Sequence, residues 1–333
     1  MANNLLISLF KKQYQKVSAV AKCLTIPGLE QVPIYDVGVF YKNGLLQGAI
    51  GVRASAISFN FFLAIFPGVI FVFGLIPFIP VPNFQIELIQ LLQEVLPSNT
   101  FKTIEQTITD ISTHRRFGLF SFGFIAALIF STNAVGAMIA AFNASANIKE
   151  NRTWLSMRIN GIVLVCVMAI LTTVATGLIV FGKSIIHFLL DFDLIHNKVS
   201  HILFVTGRWV VILSVILTSI SFLYYYAPSK RNKYMFFTPG SVVATFLMII
   251  TSLVFSFYIN SFDNYNKLYG SIGTLIAFLI WLNINSFVLL IGFELNVSIR
   301  NASFRKTHEL KFSETITEYE KYYPQKEELL KDN

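Results

Sequence analysis

Charge is what this chain has least of. Asp, Glu, Lys and Arg make up 13% of its residues, about half the share of an ordinary soluble domain. Between Arg53 and Glu87 there is no ionisable side chain at all. A stretch that long with no wet face is not the surface helix of a water-soluble fold. Cysteine is scarce too. Cys23 lies in the amino-terminal segment and Cys166 inside an apolar run, which excludes a disulfide framework. Strict apolar-polar alternation over short strands is missing, and with it the signature of a membrane β-barrel. The nucleophile elbow, the phosphate-cradling glycine loop and the Walker pattern are also missing, so the reading names no catalytic residue and no cofactor.

What is present is grease. Hydrophobic residues make up 54% of the chain and 33 of its 333 residues are Phe. About 20 apolar residues cross a hydrocarbon core of roughly 30 Å as a helix, and six runs meet that length. The fold class is therefore all-α: a polytopic membrane protein with six transmembrane helices and interfacial amphipathic helices. The first span opens at Arg53, and Pro67 near its middle predicts a kink, because its ring removes a backbone donor. The others are Phe117 to about Asn143, Gly161 to Gly182, Arg208 to Ala227, Pro239 to Phe262, and Tyr269 to about Glu294.

Three units follow. Residues 1–52 form a cytoplasmic or interfacial amphipathic segment, with Leu6, Leu9, Val17, Val20 and Leu24 opposite Lys12, Lys16 and Lys22. Residues 53–295 form the membrane domain. Its external connection, 81–116, holds two short helices capped by Asn83 and Ser98. Residues 296–333 are a charged cytoplasmic tail whose spacing predicts a solvated helix broken at Pro324. Lys and Arg gather in the amino-terminal segment, the 144–160 link, the 229–238 turn and the tail. Both ends are thereby placed in the cytoplasm of a cell inner (plasma) membrane protein. The net charge of +8 is read as attraction to anionic lipid and not to nucleic acid, since the basic residues flank the apolar runs.

His187 and Asp191 share a helix face between spans three and four. No motif of established ligand spacing surrounds them, so the stretch reads as a surface loop and no metal is expected. Arg53 and Glu294 sit at the ends of spans one and six. They are expected either to pair across the cytoplasmic end of the bundle or to snorkel to water. Ser58, Asn60, Thr132, Asn133, Asn143, Asn283 and Asn285 lie within apolar runs and must find partners. Of these, Ser58, Asn60, Asn133, Asn143, Asn283 and Asn285 are the candidates for a polar groove that shelters a lipid headgroup. Interhelical glue is the alternative.

Several stretches together resemble one family. They are Arg53 to Phe59, Ala64 to Pro67, Ala141-Phe142-Asn143, Ala227-Pro228, Thr238-Pro239-Gly240, Tyr269 to Gly273, Trp281, and Gly292-Phe293-Glu294-Leu295-Asn296. Over residues 35–300 the chain is similar to the YihY/BrkB family of bacterial inner-membrane proteins, with Phe62 departing from its tyrosine-rich positions. The resemblance implies six membrane helices with cytoplasmic ends. It also brings three labels: ribonuclease BN, serum-resistance factor and candidate lipid transporter. RNA cleavage by metal needs clustered ligands on a wet, basic site, and the histidines here are scattered. The expectation is a protein that moves or exports lipid, as a flippase, a scramblase or an export component, with membrane lipids as its partners. The alternative is a non-catalytic scaffold that binds envelope proteins through its tail.

Overall fold

The computed structural model describes residues 32–47, 49–75, 78, 117–191, 198–230, 236–261 and 263–322. The expected amino-terminal helix, the 81–116 connection with its caps at Asn83 and Ser98, and the break at Pro324 lie outside them.

The described residues form seven helices: α1 (Ile34–Gln47), α2 (Ile50–Leu75), α3 (Phe117–Ser145), α4 (Trp154–Asp191), α5 (Lys198–Tyr226), α6 (Pro239–Ser261) and α7 (Asp263–Tyr322). Six of them, α2 to α7, are long and apolar enough to cross a bilayer. Each packs on the next in sequence, and α7 returns to α2, so the six close into a ring. In addition α7 touches α3. Between 11% and 33% of each apolar window is buried inside the protein. The rest, including Phe122, Leu253 and Phe257, points outward. Surface of this kind is stable only against hydrocarbon.

The helices depart from the expected spans in length. Helix α7 has 60 residues, about 90 Å at 1.5 Å per residue, three times the bilayer core. Nothing in Leu295 to Tyr322 breaks it, since that stretch has neither Gly nor Pro, and the expected boundary at 295/296 falls inside one helix. Likewise α4 continues to Asp191 and α5 begins at Lys198, so most of the expected 183–207 loop has helical backbone. The link expected over 144–160 is shorter than that: α4 starts at Trp154, where the Thr153 carbonyl accepts from Met157 N–H at 2.9 Å. Helix α2 runs unbroken through Pro67, which is buried.

The core lies toward one end of the ring. Phe142 of α3 stacks on Phe293 of α7 at 4.4 Å between centroids, and Tyr224 of α5 meets both edge-on. The Tyr224 hydroxyl donates to the Leu289 carbonyl at 2.6 Å. At the same end α1 lies along α7, with Val32 and Val37 packed against Ile299 and Ala302. The segments flanking the first and last spans therefore share one face of the molecule, as an even number of crossings requires.

Candidate functional site

Polar chemistry concentrates at the end where α1 packs, in three clusters. The first begins with the way α3 stops. Asn147 takes a left-handed conformation, φ 50°, which Asn tolerates better than most residues. Ile148 N–H then bonds the Asn143 carbonyl at 2.9 Å and Asn147 N–H the Ala144 carbonyl at 3.2 Å. This is the paired closure of a Schellman end. The chain turns back and presents Glu150. Arg152 grips that carboxylate from Nε and Nη2, both at 2.8 Å, and from its own N–H at 3.0 Å. Asn143 donates to Glu150 and to the Ser229 hydroxyl, each at 2.8 Å, and accepts from Ser229 N–H at 2.9 Å. Arg152 also donates to the Ala227 carbonyl at 3.1 Å and the Ser229 hydroxyl at 3.0 Å. The result clasps the 146–153 connection onto the end of α5. Hydrogen bonds from Arg152 hold the Glu150 carboxyl down to about 2, with Ser229 helping and partial burial opposing.

The second cluster starts α6. Thr238 is its cap: its hydroxyl accepts from Ser241 N–H at 3.2 Å, and the Ser241 hydroxyl accepts from Thr238 N–H at 3.1 Å. This is a reciprocal capping box with Ser in place of the usual Glu, and Pro239 occupies the first helical position, where no donor is missed. Asn296 of α7 completes it, accepting from Gly240 N–H and donating to the Thr238 hydroxyl, both at 2.8 Å. Ser221 of α5 donates to Ser241 at 3.0 Å. Beside this cap lies a small cavity of about 40 Å³ between Tyr224, Tyr225, Lys230, Asn296 and Arg300.

The third cluster holds the two expected charges. Arg53 Nη1 donates to the Ala141 carbonyl at 3.0 Å and the Ser145 hydroxyl at 2.7 Å. Ser145 in turn lies beside Glu294, whose side chain is buried against Gly44 of α1. A direct Arg53–Glu294 ion pair is not formed; the hydroxyl stands between them. Neither charge snorkels free, and one polar atom on each, Arg53 Nε and Glu294 Oε2, is buried without a partner.

Of the amides and hydroxyls expected to line one groove, Asn283 and Ser58 are brought together and the others are dispersed. Asn143 belongs to the clasp. Asn283 of α7 donates to Ser55 at 3.1 Å and Ser58 at 3.3 Å on α2. Asn133, with Thr132, faces α4. Asn60 and Asn285 satisfy themselves on their own helices, at the carbonyls of Ala56 and Trp281, both at 2.8 Å. A carbonyl four residues back is always within reach of a helical side chain, and here it outcompetes a distant partner.

Sequence reading missed three participants. Glu150 stands two residues before Arg152 in an otherwise basic link, a signal that could have been read. Ser229 follows the Ala227-Pro228 pair. Arg158 looks like one more loop cation, yet the early start of α4 puts it inside a helix. Its Nη1 donates to Thr132 Oγ1 at 2.8 Å and Asn133 Oδ1 at 2.7 Å.

Six apolar helices in a closed ring, with polar clusters at one end and isolated polar contacts within the spans, define a polytopic α-helical membrane protein. The family described as Virulence factor BrkB matches residues 43–314, from α1 to the far part of α7, and the chain belongs to that family. It is similar to a protein of Bacillus subtilis (strain 168) named "Putative ribonuclease-like protein YfkH", with 32% identity over 248 residues, covering 73% of this chain and 88% of that one. No solved structure gives a significant match. Five of the stretches that carry the family resemblance contribute to the three clusters: Arg53, Ala141 to Asn143, Ala227-Pro228, Thr238 to Gly240 and Gly292 to Asn296.

Proposed function

We propose that this chain is a lipid-moving protein of the plasma (inner) membrane, scramblase-like or part of an envelope lipid-transport route, with both ends in the cytoplasm. The carrying observation is the seam between α2 and α7. There Asn283, Ser55 and Ser58 bond one another within apolar spans, with Asn283 half-buried and Ser55 exposed. An exposed polar group at membrane depth is costly unless something polar visits it. A headgroup sliding along such a seam, its tails left in the bilayer, is that visitor. The orientation rests on Lys149, Arg152 and Lys230 in the links, and on Arg305, Lys306 and Lys311 in the part of α7 beyond Leu295, on the α1 side.

The ribonuclease-like name of the Bacillus relative favours a hydrolase less well. Glu150 is the carboxylate of the clasp, and Arg152, Asn143 and Ser229 already occupy its oxygens. A general base needs a lone pair free for the proton that it takes.

The test is movement of a fluorescent phospholipid between leaflets of vesicles containing the purified protein. Wild type is expected to exceed protein-free vesicles, and Asn283→Leu to slow it at least threefold. The Asn133→Leu and Asn285→Leu changes separate the α3–α4 face from a purely structural amide. Movement at the protein-free rate in all of them would favour a scaffold that binds envelope proteins.

A further inference from the structure

Arg158 has no counter-ion among the described residues. One nitrogen of its guanidinium is spent on Thr132 and Asn133. The Trp154 ring lies 5.6 Å from the guanidinium carbon. Nε and Nη2 have no protein partner among the described residues, and neither is sealed from the surface. The amide of Asn133 is oriented by the same contact: its oxygen faces Arg158, so its NH₂ group points away and finds no acceptor among the described residues.

The position of this group is unusual. Arg158 is the fifth residue of the apolar run Trp154–Gly177, about 6 Å from its start, yet its side chain meets Thr132 and Asn133, which lie midway along the run Phe120–Ser145. Helices α3 and α4 are in close contact here, since a Cβ on Gly161 would stand 3.5 Å from Thr132. A guanidinium turned toward the apolar spans is costly unless a charge or water meets it. The contacts it does have are neutral, and they position the fork instead of discharging it. Two parallel N–H donors on a planar cation fit the oxygens of a phosphate.

We infer that Arg158, oriented by Thr132 and Asn133, forms a subsite beside the α3–α4 contact for the phosphate of a phospholipid headgroup. The inference rests on the lipid-moving reading for its biological sense, but the subsite exists or fails on binding alone. Arg158 is the binding residue; Thr132 and Asn133 are positioning residues. Tight retention is not required, because a lipid that moves must also leave.

Binding and movement are measured on the same preparations. The full chain is purified in mild detergent with added phosphatidylglycerol, and retained lipid is counted by mass spectrometry. In vesicles, movement of labelled phosphatidylglycerol is compared with that of a labelled ceramide, which has no phosphate. Arg158→Gln is expected to lower both retention and movement of phosphatidylglycerol at least tenfold, leaving ceramide within twofold of wild type. Asn133→Asp guards against misfolding: it places a carboxylate against the guanidinium, keeps the fold and should cause the same selective loss. Unchanged retention in both variants overturns the inference. Competition by millimolar inorganic phosphate, with no retention of the lipid, overturns the headgroup assignment. Retention that depends on Arg158, in a protein that moves no lipid, leaves the subsite standing and removes the lipid-moving reading. Lipid movement in a protein whose retention and movement both ignore Arg158 does the reverse.

Discussion

Gly240 and Gly292 face each other where α6 crosses α7, and a Cβ on either would overlap the main-chain oxygen of the other. A Cβ on Gly292 would also meet Ala244 Cβ and the Tyr224 hydroxyl, both at 2.6 Å. The contact brings Asn296 within reach of Gly240 N–H, and so closes the cap of α6.

Two substitutions test this crossing. Gly240→Ala and Gly292→Ala should each destabilise the protein by about 1–3 kcal/mol, the usual cost of overpacking. They should lower its thermal midpoint in detergent. Gly136→Ala is the comparison, because nothing stands within 4 Å of its added carbon; its midpoint should match or exceed wild type.

The clasp around Glu150 makes a pH prediction. Its carboxyl is lowered from 4.5 to about 2 in the folded protein, so unfolding takes up a proton between those values. The stabilisation is present in full above 4.5 and is lost as pH falls toward 2. Thermal unfolding of wild type and Glu150→Gln should therefore differ at pH 7 and converge near pH 2. Arg152→Ala should cost about 2 kcal/mol at pH 7, in line with hydrogen bonds to charged groups.

Arg53 and Glu294 share Ser145 without touching, and that arrangement predicts coupling. Either charge alone in this buried place is worse than both. Arg53→Gln and Glu294→Gln should each destabilise, and the double variant should fall short of their sum by about 1 kcal/mol or more. Strict additivity in a double-mutant cycle would show that the two charges are independent.

Sequence reading located the spans because hydropathy is a local property; the apolar windows of α2, α3 and α6 are visible residue by residue. It misjudged where α4, α5 and α7 end, because the edge of an apolar run marks the edge of the bilayer and not of the helix. The clasp was hidden for a different reason. Asn143 and Ser229 are 86 residues apart, and no single chain announces such a pairing. Asn60 and Asn285 looked like groove residues only because their own backbones were left out of account. Arg158 was visible as a charge, yet the seven helical residues 154–160, expected as loop, concealed its partner.

Six crossings put the segments before the first span and after the last on one side of the membrane, and the proposed orientation makes that side the cytoplasm; thiol labelling tests both. In a background carrying Cys23→Ser and Cys166→Ser, single substitutions are made at Lys42, Lys311 and Phe117, all exposed. A membrane-impermeant maleimide is added to intact cells and to opened membranes. Phe117→Cys is expected to be labelled in intact cells, and Lys42→Cys and Lys311→Cys only after opening. Labelling of Lys42→Cys and Lys311→Cys from opposite sides would contradict the six-helix ring, and labelling of both from outside would contradict its orientation.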